Sequence, residues 1–250
     1  MDVPVPAKEM TINLKGKDAL GKQELLVLNM LQTNDWKRPM YYAITVSPDQ
    51  FVKLDPYFQQ TGMAYQIVPM QTKNTVKAVN ADKMFDNVMN KFKWGGVDKP
   101  GIYLDENVMR MCKSYRMVLF GKLAATLIHE GKNDKALQVL DKCMEVLPPE
   151  NVPLDYSALS IGEYYYTLGQ KEKGHNILKV IGDDSMRNLN WYFRLNPKQF
   201  ASVADDLNTN LYVLQEIINI TKDKDPELMN QYKEEFDNFR MALSSLQPKE

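Results

Sequence analysis

The residues that could carry chemistry are few. His129 and His175 are the two histidines among 250 residues, and neither stands in HExxH or another metal-ligand spacing. No GxSxG elbow, Walker loop or dinucleotide glycine fingerprint is present, and Gly95-Gly96 follows a tryptophan rather than a strand. The sequence therefore indicates no catalytic residues, no metal site and no cofactor. Carboxylate pairs occur at Asp105-Glu106, Asp183-Asp184 and Asp205-Asp206. Glycosidases use two acids flanking a sugar bond, but neighbours on a helix project about 100° apart and cannot face each other across a substrate. Asp105 and Glu106 fit the start of a helix, where negative charge is favoured. Cys112 and Cys143 have no CxxC spacing and fall on apolar helix faces. Buried free thiols suit that placement, and a bridge between adjacent helices remains open.

Aromatic residues are more distinctive. They cluster at Trp36, Tyr41 and Tyr42, at Tyr57-Phe58, at Tyr164–Tyr166 and at Trp191–Phe193. Flat rings with polar tips stack on sugars or anchor a protein partner, and they equally fill the space between a sheet and helices.

The elements that must position these groups change character near residue 105. Before it, a helix is expected over Asp18–Leu31, with Gly21 as its weak point. Strands are expected at Pro39–Val46 and Met63–Met70, and Ser47-Pro48-Asp49 can open a short helix with Ser47 as its cap. Residues 71–100 are polar. Residues 1–104 thus read as a small α+β unit. From 105 to 250 the apolar residues recur at helical spacing and the helices come in pairs. Expected boundaries are Asp155–Leu168 with Lys171–Ile181, then Pro197–Thr221 with Pro226–Leu246. Asn196-Pro197 and Asp225-Pro226 each look like a cap followed by proline at the first helical position. The fold class is mainly α.

Charge and hydropathy exclude several roles. Lysine and arginine total 31 against 32 acidic residues, which argues against a sequence-independent nucleic-acid binder. The longest uncharged stretch, Pro56–Thr72, holds prolines and glutamines where a spanning helix needs about 20 mostly apolar residues. The start MDVPVPAKEM has no apolar h-region.

The helical pairs resemble tetratricopeptide repeats. In the first, Gly131, Ala136, Leu140, Cys143 and Pro148 fill the motif's turn glycine, small, large, small and proline positions, with Ala124 as the small residue upstream. In the second, Gly169, Gly174, Leu178 and Ile181 follow Gly162 as a degraded copy; the third keeps only the helix–turn–helix outline. Such repeats stack into a curved scaffold that holds a partner.

Three further segments carry a second resemblance: Asn34–Ala43 (NDWKRPMYYA), Leu54–Pro69 (LDPYFQQTGMAYQIVP) and Met89–Arg110 (MNKFKWGGVDKPGIYLDENVMR). In that order they resemble the C-terminal soluble region of a family of polytopic membrane proteins, mostly from Bacteroidetes, whose membrane part looks like that of protein O-mannosyltransferases. The resemblance implies membrane helices preceding this region, a periplasmic location tethered to the inner membrane, and a glycosyltransferase-like whole using a lipid-linked sugar. No residue here matches the catalytic acid of such enzymes, so the region itself is expected to be non-catalytic. Its expected partner is an acceptor polypeptide or protein subunit, besides its own membrane-embedded part. Trp36, Arg38, Tyr41, Tyr42 and Trp94 are the candidate binding residues, with Arg38 also able to pair with a carboxylate such as Asp55. The rival expectations are a free-standing carbohydrate-active enzyme and a sugar-binding module.

Overall fold

In a computed structural model of the chain, residues 10–72 and 78–246 are described. The start MDVPVPAKE lies outside them, as do residues 73–77 of the polar stretch. The fold is mainly α, with one small antiparallel sheet near the N-terminus. Two compact units form: one within residues 1–93 together with Thr126–Gly131, the other comprising Trp94–Ala125 and the chain from Lys132.

In the first unit, α1 spans Lys22–Asn34. Gly21 is not a weak interior point but the residue before the first turn. The Glu24 carboxylate accepts its N–H at 2.7 Å, satisfying a donor that a helix start leaves free. The sheet has β1 (Tyr41–Ala43), β2 (Phe58–Gln60) and β3 (Ala64–Ile67) in the order β1-β3-β2, with Tyr41 opposite Gln66 and Phe58 opposite Ile67. Both expected strands exist, shortened to their paired centres. β2 is an addition to them, because three residues leaving a Pro56 turn show no alternation. The Ser47 hydroxyl bonds the Asp49 carboxylate rather than a backbone N–H, and Pro48–Phe51 makes one 3-10 turn. Val27, Leu28 and Leu31 of α1 pack with Tyr42 against buried Val52, Leu54, Tyr57, Phe58 and Ile67. A further helix, α2 (Ala81–Asp86), runs into a π-helical turn at Asn87–Lys91. Its polar composition hid it: the fully buried residues of the segment are Ala81, Met84 and Val88, widely spaced among charged and amide side chains.

The second unit is built from helical pairs. α3 (Glu106–Tyr115) begins at Asp105, whose Oδ1 accepts from the N–H groups of Asn107 at 2.8 Å and Val108 at 3.2 Å. It passes through a π-helical turn, Arg116–Gly121, into α4 (Lys122–His129), whose residues from Thr126 on count with the first unit. Gly131, at φ +73°, turns the chain into α5 (Asn133–Val146). A 3-10 turn, Tyr156–Ala158, leads to α6 (Leu159–Thr167), and Gly169, at φ +75°, turns it into α7 (Lys171–Tyr192). Then come α8 (Pro197–Ser202), α9 (Ala204–Thr221) and α10 (Pro226–Leu246). The Asn196 side chain caps α8 as expected, accepting from Gln199 N–H at 3.0 Å. The helix expected over Pro197–Thr221 breaks at Val203. α7 continues well past Ile181 because Gly182 does not end it: the Tyr232 ring lies where a Cβ would sit, 2.4 Å away, and fills the space.

α6 and α7 approach too closely for side chains at two positions. A Cβ on Gly162 would meet Leu178 Cδ2 at 2.7 Å, and one on Gly174 would meet Tyr166 Cδ2 at 2.7 Å and the Gly162 carbonyl oxygen at 2.9 Å. Backbone cannot yield as a flexible side chain can. Gly174→Ala is therefore expected to destabilise the protein by about 1–3 kcal/mol in chemical denaturation, despite alanine's better helix propensity.

Candidate functional site

The helical unit carries an open cavity of about 530 Å³. Its walls come from the first helix of each pair. Met117, Gly121, Lys122 and Ala125 belong to the π turn and α4; Leu159, Ser160, Glu163 and Tyr164 belong to α6; Tyr212, Glu216 and Ile220 belong to α9. Tyr156, in the turn before α6, closes one end, where a second hollow continues along Asn208, Thr209 and Tyr212. Among the described residues, none from the second helices α5, α7 or α10 lines it. The pattern is periodic: Lys122 and Ala125 precede Gly131 by the same intervals at which Ser160 and Glu163 precede Gly169. Equivalent positions of successive first helices thus share one wall, as stacking of like hairpins requires. On α9, Tyr212, Glu216 and Ile220 repeat every four residues along one face.

The chemistry of the groove is amphipathic. Tyr212 is 57% exposed and Tyr156 49%, so both present ring faces to whatever lies there. Glu163 and Glu216 are half-buried carboxylates, and Lys122 lines the same wall. Burial, then the Glu163 charge, raises the Tyr164 pKa above its ordinary value. The three consecutive tyrosines divide their work. Tyr164 faces the groove, Tyr165 donates to Asp141 of α5 at 2.7 Å, and Tyr166 donates to Asp225 at 2.7 Å.

The residues singled out in the sequence lie elsewhere. Trp36, Arg38, Tyr41 and Tyr42 belong to the N-terminal unit, and Trp94 to the helical one. Asn34 closes the loop that carries Trp36: its side chain donates to the Arg38 carbonyl at 2.6 Å and accepts the Arg38 N–H at 3.1 Å. Trp36 is exposed and adopts φ +58°. The Arg38 guanidinium is exposed and has no partner among the described residues, so the pairing with Asp55 does not form. Tyr41 receives a hydrogen bond from Lys83 Nζ at 2.9 Å, while Tyr42 packs its ring on Phe51 and Phe58 at 5.5 and 5.2 Å. Burial raises the Tyr42 pKa, and Glu24 adds to it. Trp94 stacks on Phe120 at 5.3 Å. Cys112 and Cys143 are buried free thiols, and burial pushes Cys143 up to about 12. Of the carboxylate pairs, Asp183-Asp184 works within the fold: Asp183 takes Lys179 at 2.6 Å, and Asp184 pairs with Arg187. Among the described residues no group of histidine, cysteine and acidic side chains could hold a metal.

Sequence reasoning missed Lys122, Glu163, Tyr212 and Glu216. The turn glycines were the signal that could have found them, since counting back from Gly131 and Gly169 reaches the same wall.

Among the described residues no helix is long and apolar enough to cross a membrane. No curated protein and no solved structure matches the chain. Residues 2–86 match the family model described as TMEM260-associated domain 2. The match contains the first two motif segments, Asn34–Ala43 and Leu54–Pro69. It fits the O-mannosyltransferase-like family that those segments resemble.

Proposed function

We propose that this chain is a non-catalytic accessory region of a membrane glycosyltransferase-like protein, on its extracytoplasmic, periplasmic side, and that its tetratricopeptide-like hairpins hold a polypeptide in the groove. That polypeptide is an acceptor or a partner subunit. One observation carries the reading: among the described residues, the groove is lined by the first helices of three successive pairs and by none of the second. An array of that kind presents a continuous wall to an extended segment. Exposed tyrosines offer rigid contact area at small entropic cost, and Glu163 and Glu216 favour lysine or arginine on the bound chain. The match over residues 2–86 supports the membrane-enzyme context. Fluorescence anisotropy of labelled extended peptides tests this. Lysine- and arginine-rich peptides should bind more tightly than acidic ones, and E163K/E216K should weaken the basic ones about tenfold.

A second reading has one observation in its favour. Two carboxylates and three tyrosines share the groove, the set a carbohydrate enzyme or sugar module would use. Against catalysis, a glycosidase acid needs a carboxyl withdrawn from water, and both glutamates are only half-buried. Titration with oligosaccharides separates the readings: this one requires glycans, not peptides, to bind and to compete at the groove.

A further inference from the structure

We infer that the outward face of α1, with the turn that follows it, docks on an anionic phospholipid surface. α1 buries Val27, Leu28 and Leu31 toward the core of its unit and turns Glu24 inward, where Lys17 pairs with it. The opposite arc should then be polar. Successive residues are about 100° apart, which puts Lys22, Leu26, Asn29, Met30 and Thr33 on that arc with Leu25 at its flank. Leu26 is 60% exposed, Leu25 53% and Met30 48%. The arc holds no acidic residue, and Lys22 is its one charge. The helix-ending turn adds Trp36, Lys37 and Arg38, all exposed.

A protein partner would account for exposed leucines alone; the charges favour lipid. Between Lys22 and Pro39 the exposed charges are Lys22, Lys37 and Arg38 against Asp35, which approaches Lys37 only at 4.0 Å. Lys22 and Arg38 have no partner among the described residues. A short helix with leucine and methionine outward, tryptophan at its end and cations at both ends is complementary to a bilayer interface. The apolar groups enter the acyl boundary, the indole sits at headgroup level, and the cations meet phosphates. With 13 residues α1 is too short to span, so it would lie in the plane of the surface. This inference does not depend on what the groove holds.

Vesicle co-sedimentation of the whole chain tests it, using phosphatidylcholine alone and phosphatidylcholine mixed with phosphatidylglycerol. Binding is expected to the mixed vesicles, with a blue-shifted tryptophan emission that W36F removes. L26E/M30E, at exposed positions, should weaken the partition about tenfold or more while circular dichroism stays unchanged. K37Q/R38Q should erase the preference for phosphatidylglycerol. No binding by the wild-type chain, equal binding to both vesicle types, or wild-type binding by L26E/M30E would each overturn the proposal. So would a change in sedimentation coefficient as the sole effect of L26E/M30E, since the face would then join two copies of the chain.

Discussion

Arg116→Leu is expected to lower the stability of the helical unit by about 3–5 kcal/mol. Arg116 has no exposed surface. Its guanidinium holds three backbone carbonyls rather than a carboxylate. Nη1 donates to Pro153 at 2.7 Å, and Nη2 donates to Leu147 at 3.0 Å and to Val152. These oxygens lie on the connection after α5, where Pro148 and Pro149 leave no helix to satisfy them. Leucine would fill most of the volume and leave three buried acceptors without donors, each costing about 1–3 kcal/mol. Arg116→Lys should recover only part of the loss, because one ammonium cannot fork to three oxygens. Urea denaturation followed by circular dichroism reads both variants. A loss below about 1 kcal/mol for the leucine variant would show that water reaches those carbonyls.

The second large effect is expected at Asp225. Its side chain is buried, and it receives Tyr166 Oη at 2.7 Å and contacts His175 Nδ1 at 2.7 Å, with Lys171 Nζ at 3.5 Å. In the sequence the residue before Pro226 reads as a simple helix cap. In the fold its carboxylate ties the start of α10 to α6 and α7. Burial alone would raise its pKa. The hydrogen bonds from His175 and Tyr166, followed by the Lys171 and His175 charges, outweigh burial and hold it below the ordinary carboxylate value. A depressed folded-state pKa contributes stability that is present above the unfolded value, near 4, and lost as pH falls through the folded value. Denaturation midpoints should therefore decline on acidification below about pH 4, and less steeply in D225N. D225A should cost about 2–3 kcal/mol at pH 7, since it leaves the buried Tyr166 hydroxyl without its acceptor, whereas the exposed Lys171 ammonium turns to water. An unchanged acid slope in D225N would mean that other carboxylates carry it.

The helical half was legible because its signals are local. Gly131 and Gly169 mark turns, Asn196-Pro197 marks a start, and the small residues Gly162 and Gly174 sit where α6 and α7 touch. The N-terminal half was less so: β2 owes its existence to pairing with β3, a contact that three residues cannot announce. The groove was invisible for a related reason. Its wall is assembled from residues nearly a hundred positions apart, Lys122 to Glu216, and no single helix shows an unusual pattern there. The aromatic motif drew attention instead, and its parts do unlike things. Tyr42 packs in a core, while Asn34 and Trp36 shape an exposed turn.

Photo-crosslinking with the tightest-binding basic peptide tests the groove most directly. A peptide carrying a diazirine should label Met117, Lys122, Tyr164 and Tyr212, and an excess of unlabelled peptide should suppress the labelling. Crosslinks falling on α5, α7 or α10, or on the N-terminal unit, would contradict the account and place binding elsewhere.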